Sequence, residues 1–145
     1  MAISFENNWK NILDQLAKVF RDEYGNSLPV FIGDQDNSPG SQYVRIDPIS
    51  SSLIGYSSNS QNRAFDISIS YVVTNPNVKK AALDNILRIT ERTKALIQAN
   101  MNMTLSDGSR AINCRLDSEV LNAGGSENTY IVSWSWSCEH QSNFS

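Results

Sequence analysis

The sequence predicts an α+β fold, a mixed and mainly antiparallel β-sheet with two long amphipathic helices packed on one face. Three observations carry this. Apolar residues recur at three- and four-residue spacing in two stretches of about twenty residues, one from Phe5 and one from Val78. They alternate with small polar residues in Phe65, Ile67, Ile69, Tyr71 and Val73, and again in Tyr130, Val132, Trp134, Trp136 and Cys138. Turn formers at Asp107-Gly108 and at Asn122–Ser126 join the later strands as hairpins.

In the first stretch Phe5, Trp9, Ile12, Leu13, Leu16, Phe20 and Tyr24 share a face, with Asn8, Asn11, Lys18, Arg21 and Asp22 opposite. Ser4 is the expected N-cap and Gly25 stands just past the last turn, so the helix is expected from Phe5 to Tyr24. Pro29-Val30-Phe31-Ile32 reads as a brief strand, halted by the turn formers of residues 33–40, and Tyr43–Ile46 reads as a second. The alternation that follows Arg63 marks the clearest strand. Between these strands, Pro48 to Asn62 is rich in Ser, Asn and Gln yet holds Ile49, Leu53, Ile54 and Tyr56. Connections longer than about 12 to 15 residues are uncommon in compact domains and are functional or mobile where they occur. Residues 48–62 are therefore read as a flexible arm whose apolar side chains await a partner.

Asn75-Pro76-Asn77 opens the second helix, Val78 to Ala99, with Leu83, Ile86, Leu87, Thr90, Thr93, Leu96 and Ile97 as its buried stripe. A two-residue turn at Asp107-Gly108 sets Leu105 against Arg110, Met103 against Ile112 and Met101 against Cys114. The inner set of the following strand is then Ile112, Cys114, Leu116 and Val120. Folding about Asn122–Ser126 places Leu116 near Trp136, Ser118 near Trp134 and Val120 near Val132.

A length of 145 residues suits one domain, 1–145. With 40% hydrophobic and 19% charged residues the chain can fill a core, so neither disulfide nor metal is required for order. The net charge is −3 and the twelve Lys and Arg are scattered, which argues against a nucleic-acid module with a basic stripe. The N-terminal residues lack the pattern of a secretory signal, and no apolar run is long enough to span a bilayer, so no membrane partner is expected.

No residue set has the spacing of a catalytic, cofactor or metal site, and a binding protein is expected rather than an enzyme. Cys114 and Cys138 fall on an apolar face, where a thiol behaves as a small hydrophobe and burial raises its pKa. His140 is the only histidine and sits near the C-terminus, where a fraying tail holds a catalytic base poorly. Asp34, Asp36 and Ser38 alternate like calcium-loop ligands, but Pro39 and Arg45 stand where that loop needs Gly and a bidentate Glu. Gly124-Gly125 introduces no helix and so makes no phosphate loop. Asp117 and Glu119 are expected on the solvated face of their strand. Ser133, Ser135 and Ser137 line the polar face of the last strand, read either as plain solvent-facing sheet or as a surface for subunit packing, since short side chains let another layer approach closely.

The order of helix, early strands with a long Ser/Asn-rich excursion, helix and closing β-meander spans all 145 residues. It resembles the tail terminator and tail completion proteins of long-tailed bacteriophages, the lambda-like tail terminator family. The likeness is one of size, element order and texture, and that family has no short diagnostic motif, so no functional residue is transferred. The resemblance implies a structural virion protein of the tail or neck, assembled in the host cytoplasm. It implies a homohexameric ring that caps the tail tube, stops polymerisation of the tube protein and offers a docking surface to the head-side connector or stopper protein. DNA would pass through that ring without specific binding. The rival reading is a neck adaptor or stopper, a head-tail joining protein. A closed ring requires two different complementary surfaces on each subunit. Leu53, Ile54 and Tyr56, with Arg63 as a polar anchor at the base of the arm, are the expected subunit contacts.

Overall fold

In the computed structural model, which describes residues 7–33, 42–57, 60–74, 79–126 and 129–143, two helices lie on one face of a six-stranded sheet. The elements are α1 (Asn8–Tyr24), β1 (Val30–Ile32), β2 (Gln42–Tyr56), β3 (Ser60–Thr74), α2 (Lys79–Ala99), β4 (Met103–Thr104), β5 (Arg110–Ser126) and β6 (Thr129–Asn143). The strand order is β1-β2-β3-β6-β5-β4, with β1 parallel to β2 and every other pair antiparallel. The expected α+β class is the observed one.

The cap of α1 is not at the expected place. Asn7 is the N-cap, its side-chain oxygen accepting the Lys10 N–H at 3.1 Å, while Ser4 and Phe5 lie outside the described residues. An Asn cap satisfies one of the orphan N–H groups of the first turn. Asn7→Ala is expected to lower stability by about 1 kcal/mol. Urea unfolding checks this as a lower midpoint at unchanged slope. At the other end Gly25, with φ of 59°, takes the left-handed turn that closes the helix.

The core forms where the alternating strand faces meet the helix stripes. Val44, Ile46, Phe65, Ile67, Ile69, Tyr71, Val132, Trp134, Trp136 and Cys138 are buried on the helix-facing side. Above them α1 buries Ile12, Leu13, Leu16, Ala17 and Phe20, and α2 buries Ile86, Ile89, Thr90, Thr93 and Ile97. Leu87, expected in that stripe, is turned outward, because the buried line advances from Ile86 to Ile89 and Thr90. Polar contacts tie the two helices together. The Tyr24 hydroxyl lies 2.7 Å from Thr93 Oγ1, and Arg92 sits 5.0 Å over the Tyr24 ring while pairing with Glu23 at 2.8 Å.

The register of the closing meander departs from expectation at three points, each with a local cause. The turn between β4 and β5 has three residues, Ser106, Asp107 and Gly108, so Met103 faces Ala111 and Thr104 faces Arg110. Gly108, with φ of 87°, supplies the left-handed third position that such a loop needs. Next, Asn113 has φ of 53° and lies in a register shift between Ile112 and Arg115, which turns Ile112 outward and keeps Ala111 and Cys114 inside. A second shift between Leu116 and Ser118 exchanges the faces again. Leu116 faces Trp136 as expected, but Ser118 faces Ser135, Glu119 faces Trp134, Val120 faces Ser133 and Leu121 faces Val132. The strands also continue through Asn122–Ser126, which belong to β5.

Candidate subunit-contact surface

Residues 48–62, read above as an arm, are not an unstructured connection. Apart from residues 58–59, which lie outside the described set, they form the distal half of a long β2–β3 hairpin running from Gln42 opposite Val73 to Tyr56 opposite Gln61. Register shifts between Pro48 and Ser50 and between Leu53 and Gly55 leave Ile49 and Ile54 as the extra residues of two bulges. Both side chains are exposed, as are Leu53 and Tyr56, the last at 78%. Residues 48–56 contain no charged side chain, so this hairpin presents four large apolar groups in an otherwise neutral strand. Isolated exposed apolar residues are ordinary, whereas a group of them along one strand marks an interaction surface.

The sheet register brings Leu53, Arg63 and His140 into one row on the helix side of the sheet. Arg63 is half-buried and makes no ion pair with another described residue. Its strand partners and its place beside Leu53 keep it with the apolar tip, and Tyr56 stands two pairs further out, opposite Gln61.

His140 does not lie in a loose tail. It is paired within β6, only 3% exposed, and anchored by a relay of hydrogen bonds at the base of the tip. Asn8 Nδ2 donates to Ser142 Oγ at 2.9 Å, and Ser142 Oγ lies 3.4 Å from His140 Nδ1. His140 Nε2 lies 2.9 Å from Ser109 Oγ, which donates to Asp107 Oδ1 at 2.5 Å. Because the Ser109 proton is directed to Asp107, the relay requires Nε2 to carry the imidazole proton and Nδ1 to accept. Burial lowers the His140 pKa, with Asp107 partly opposing, and hydrogen bonds from Ser109 lower that of Asp107.

The sign of the linkage follows from those directions. His140 has a folded pKa below its ordinary 6.5, so the unfolded chain binds more protons in the interval. Its contribution is complete above 6.5 and is lost as the pH falls through the folded value. The Asp107 contribution, referred to 3.8, is lost only at lower pH still. The urea midpoint is therefore expected to fall between pH 7 and pH 5, and His140→Gln is expected to flatten that dependence.

Serines and carboxylates dominate the helix-free side of the sheet. Ser137 Oγ lies 2.7 Å from Asp66 Oδ1 and 2.6 Å from Asp117 Oδ2, so its single proton serves one carboxylate at a time. Asp117 also takes Arg115 at 2.8 Å, and Ser50 donates to Asp66 at 3.1 Å. Glu119, expected on this face, is instead on the helix side, where it accepts the Trp134 indole N–H at 2.9 Å and meets Lys94 at 3.4 Å. Its displacement follows from the Leu116/Ser118 shift. Ser133 and Ser135 lie on the helix-free side, opposite Ser70 and Ser68. Cys114 and Cys138 are both buried and free, and the Cys138 thiol is pushed up by its neighbour Cys114 and by burial. Asp34, Asp36 and Ser38 lie outside the described residues. Among the described residues no cluster of His, Cys, Asp and Glu could hold a metal ion, and no helix is long and apolar enough to cross a membrane.

No family model matches the chain, and no curated protein matches it. Solved structures do. A chain of a structure described as "Virion of native gene transfer agent (GTA) particle" superposes with a TM-score of 0.63 over 93% of this chain and 95% of that one. Sequence identity is 12%, so the likeness is one of fold. It extends over nearly the whole of both chains and is not confined to a shared hairpin or helix pair.

Proposed function

We propose that this chain is a structural protein of a phage-like virion that works by binding copies of itself and neighbouring virion proteins rather than by catalysis. The observation that supports it most is the end-to-end likeness to a chain of a gene transfer agent virion. The neutral hairpin with Ile49, Leu53, Ile54 and Tyr56 exposed is the second support, since those side chains gain most from a partner. In the finer reading the chain assembles as a homohexameric ring that caps the tail tube, stops its growth and docks the head-side connector. Leu53, Ile54, Tyr56 and Arg63 lie in the subunit contact. DNA passes through the ring without specific binding, in keeping with a net charge of −3.

Growth of tail tubes in the presence of the purified chain, followed by electron microscopy, tests the reading. The expected result is added density at one end of each tube and tubes that no longer lengthen. Density on connector rings with bare tube ends would move the assignment to a neck adaptor. Tubes that lengthen unchanged, with no density on either, would overturn both.

A further inference from the structure

Two edges of the sheet are uncovered among the described residues, and they lie at opposite sides. On one side β1 pairs only with Val44–Ile46, so β2 has no strand neighbour from Asp47 to Tyr56. On the other side β4 pairs only with Arg110 and Ala111, and the Met101 carbonyl accepts the Cys114 N–H, so β5 has no strand neighbour from Arg115 to Ser126. Long bare edges are normally guarded by charge. The β2 edge carries none beyond Asp47, whereas the β5 edge has Arg115, Asp117 and Glu119 in its first half, followed by Val120, 61% exposed, and Leu121, also exposed.

We propose that these two edges join, the β2 edge of one copy pairing with the β5 edge of the next in a staggered antiparallel ladder that continues the sheet between subunits. The proposal rests on the self-assembly reading above and adds which surfaces meet. Strand direction allows it. Three successive antiparallel pairings from β2 to β5 leave β5 running opposite to β2, so the alternation continues unbroken across the joint. The bare lengths also match, each being near a dozen residues, and each has exposed apolar side chains that the other would cover.

The short strands fix the stagger. Val44, Tyr71, Val132 and Leu121 form one row across the sheet, and Leu53, Arg63, His140 and Ala111 form another. The bare stretch of β2 is centred on Ser51 and Ser52, but that of β5 is centred on Val120 and Leu121, in the row of Val44. In an unshifted joint β1 and β4 would collide with the incoming edges. Matching the bare centres needs a slide of about seven residues, or roughly 23 Å along the strands. The four strands crossed per copy span roughly 19 Å at ordinary strand spacing. The strands then lie at roughly 40° to the direction of assembly and roughly 50° to the axis of a ring, near the tilt of about 35–45° from the axis by which sheets close into barrels. Such a head-to-tail joint is heterologous, the kind of contact that makes a ring where its rotation closes.

Cysteine cross-linking between differently labelled copies tests this. Ser52→Cys chains are mixed with Val120→Cys chains before assembly, then treated with a short bismaleimide, with the unmodified chain as the background for Cys114 and Cys138. The staggered joint predicts covalent dimers from the mixture and none above background from either variant alone. Dimers from Ser52→Cys alone, dimers from Ser52→Cys mixed with Ile112→Cys instead, or oligomers without cross-links would overturn the pairing while leaving self-assembly standing. A chain that stays monomeric alone and with tail tubes would overturn both.

Discussion

Replacing Trp136 by alanine is expected to cost about 3–5 kcal/mol of folding stability, in the range measured for large-to-small changes in tight cores. Trp136 is fully buried in the middle strand of the helix-facing layer, between Ile67 on β3 and Leu116 on β5. Its indole N–H has no hydrogen-bond partner among the described residues, so the loss is one of packing and leaves no polar group stranded. Domains of this size are stable by only about 5–15 kcal/mol, so the variant should lie near its unfolding transition at moderate temperature. Far-ultraviolet circular dichroism against urea reads this directly. An unchanged midpoint would mean that the layer between sheet and helices is not packed as described.

The second large effect concerns assembly rather than folding. Leu53→Ser with Ile54→Ser should leave the monomer's urea midpoint within about 0.5 kcal/mol of the parent, as exposed positions do. Both side chains are already half in solvent within the single chain, so what burial they have left to gain is open to a partner. Completing that burial contributes about 1 kcal/mol per residue, so the pair should shift each subunit contact by roughly thirtyfold. In a closed ring every subunit uses the hairpin once, and the losses accumulate around it. Sedimentation of parent and variant over the same concentrations measures the shift. Collapse of the helix and sheet signals in the variant would show that the hairpin serves the fold and not the partner.

The parts of this fold that were legible in the sequence are those where burial writes a period into the chain. Phe65 to Tyr71 and Tyr130 to Cys138 alternate because one face of β3 and β6 lies under the helices, and α1 repeats every three to four residues for the same reason. The hairpin tip was not legible. Where neither face of a paired strand is covered by the chain, nothing selects alternation, and the bulges at Ile49 and Ile54 break what remains. Residues 48–62 therefore looked like a loop, although the same apolar side chains singled them out as a candidate contact surface. In β5 the shifts at Asn113 and Asp117 displace the pattern, so Val120 was placed inside and Glu119 outside, the reverse of the observed arrangement. His140 read as part of a fraying tail and not as a buried link, since Ser109 and, through Ser142, Asn8 are distant from it in sequence. The uncovered edges depend on how little of β2 and β5 the short β1 and β4 cover, and strand length is the property that local pattern specifies least.

On the proposed reading this chain assembles with itself through surfaces at opposite sides of one sheet. Light scattering of the purified protein across a concentration series, alone and with isolated tail tubes, measures its mass most directly. The expected result is a closed hexamer, either free in solution or formed from monomers at tube ends. A monomer or dimer whose mass is unchanged over the whole series, with or without tubes, would contradict it.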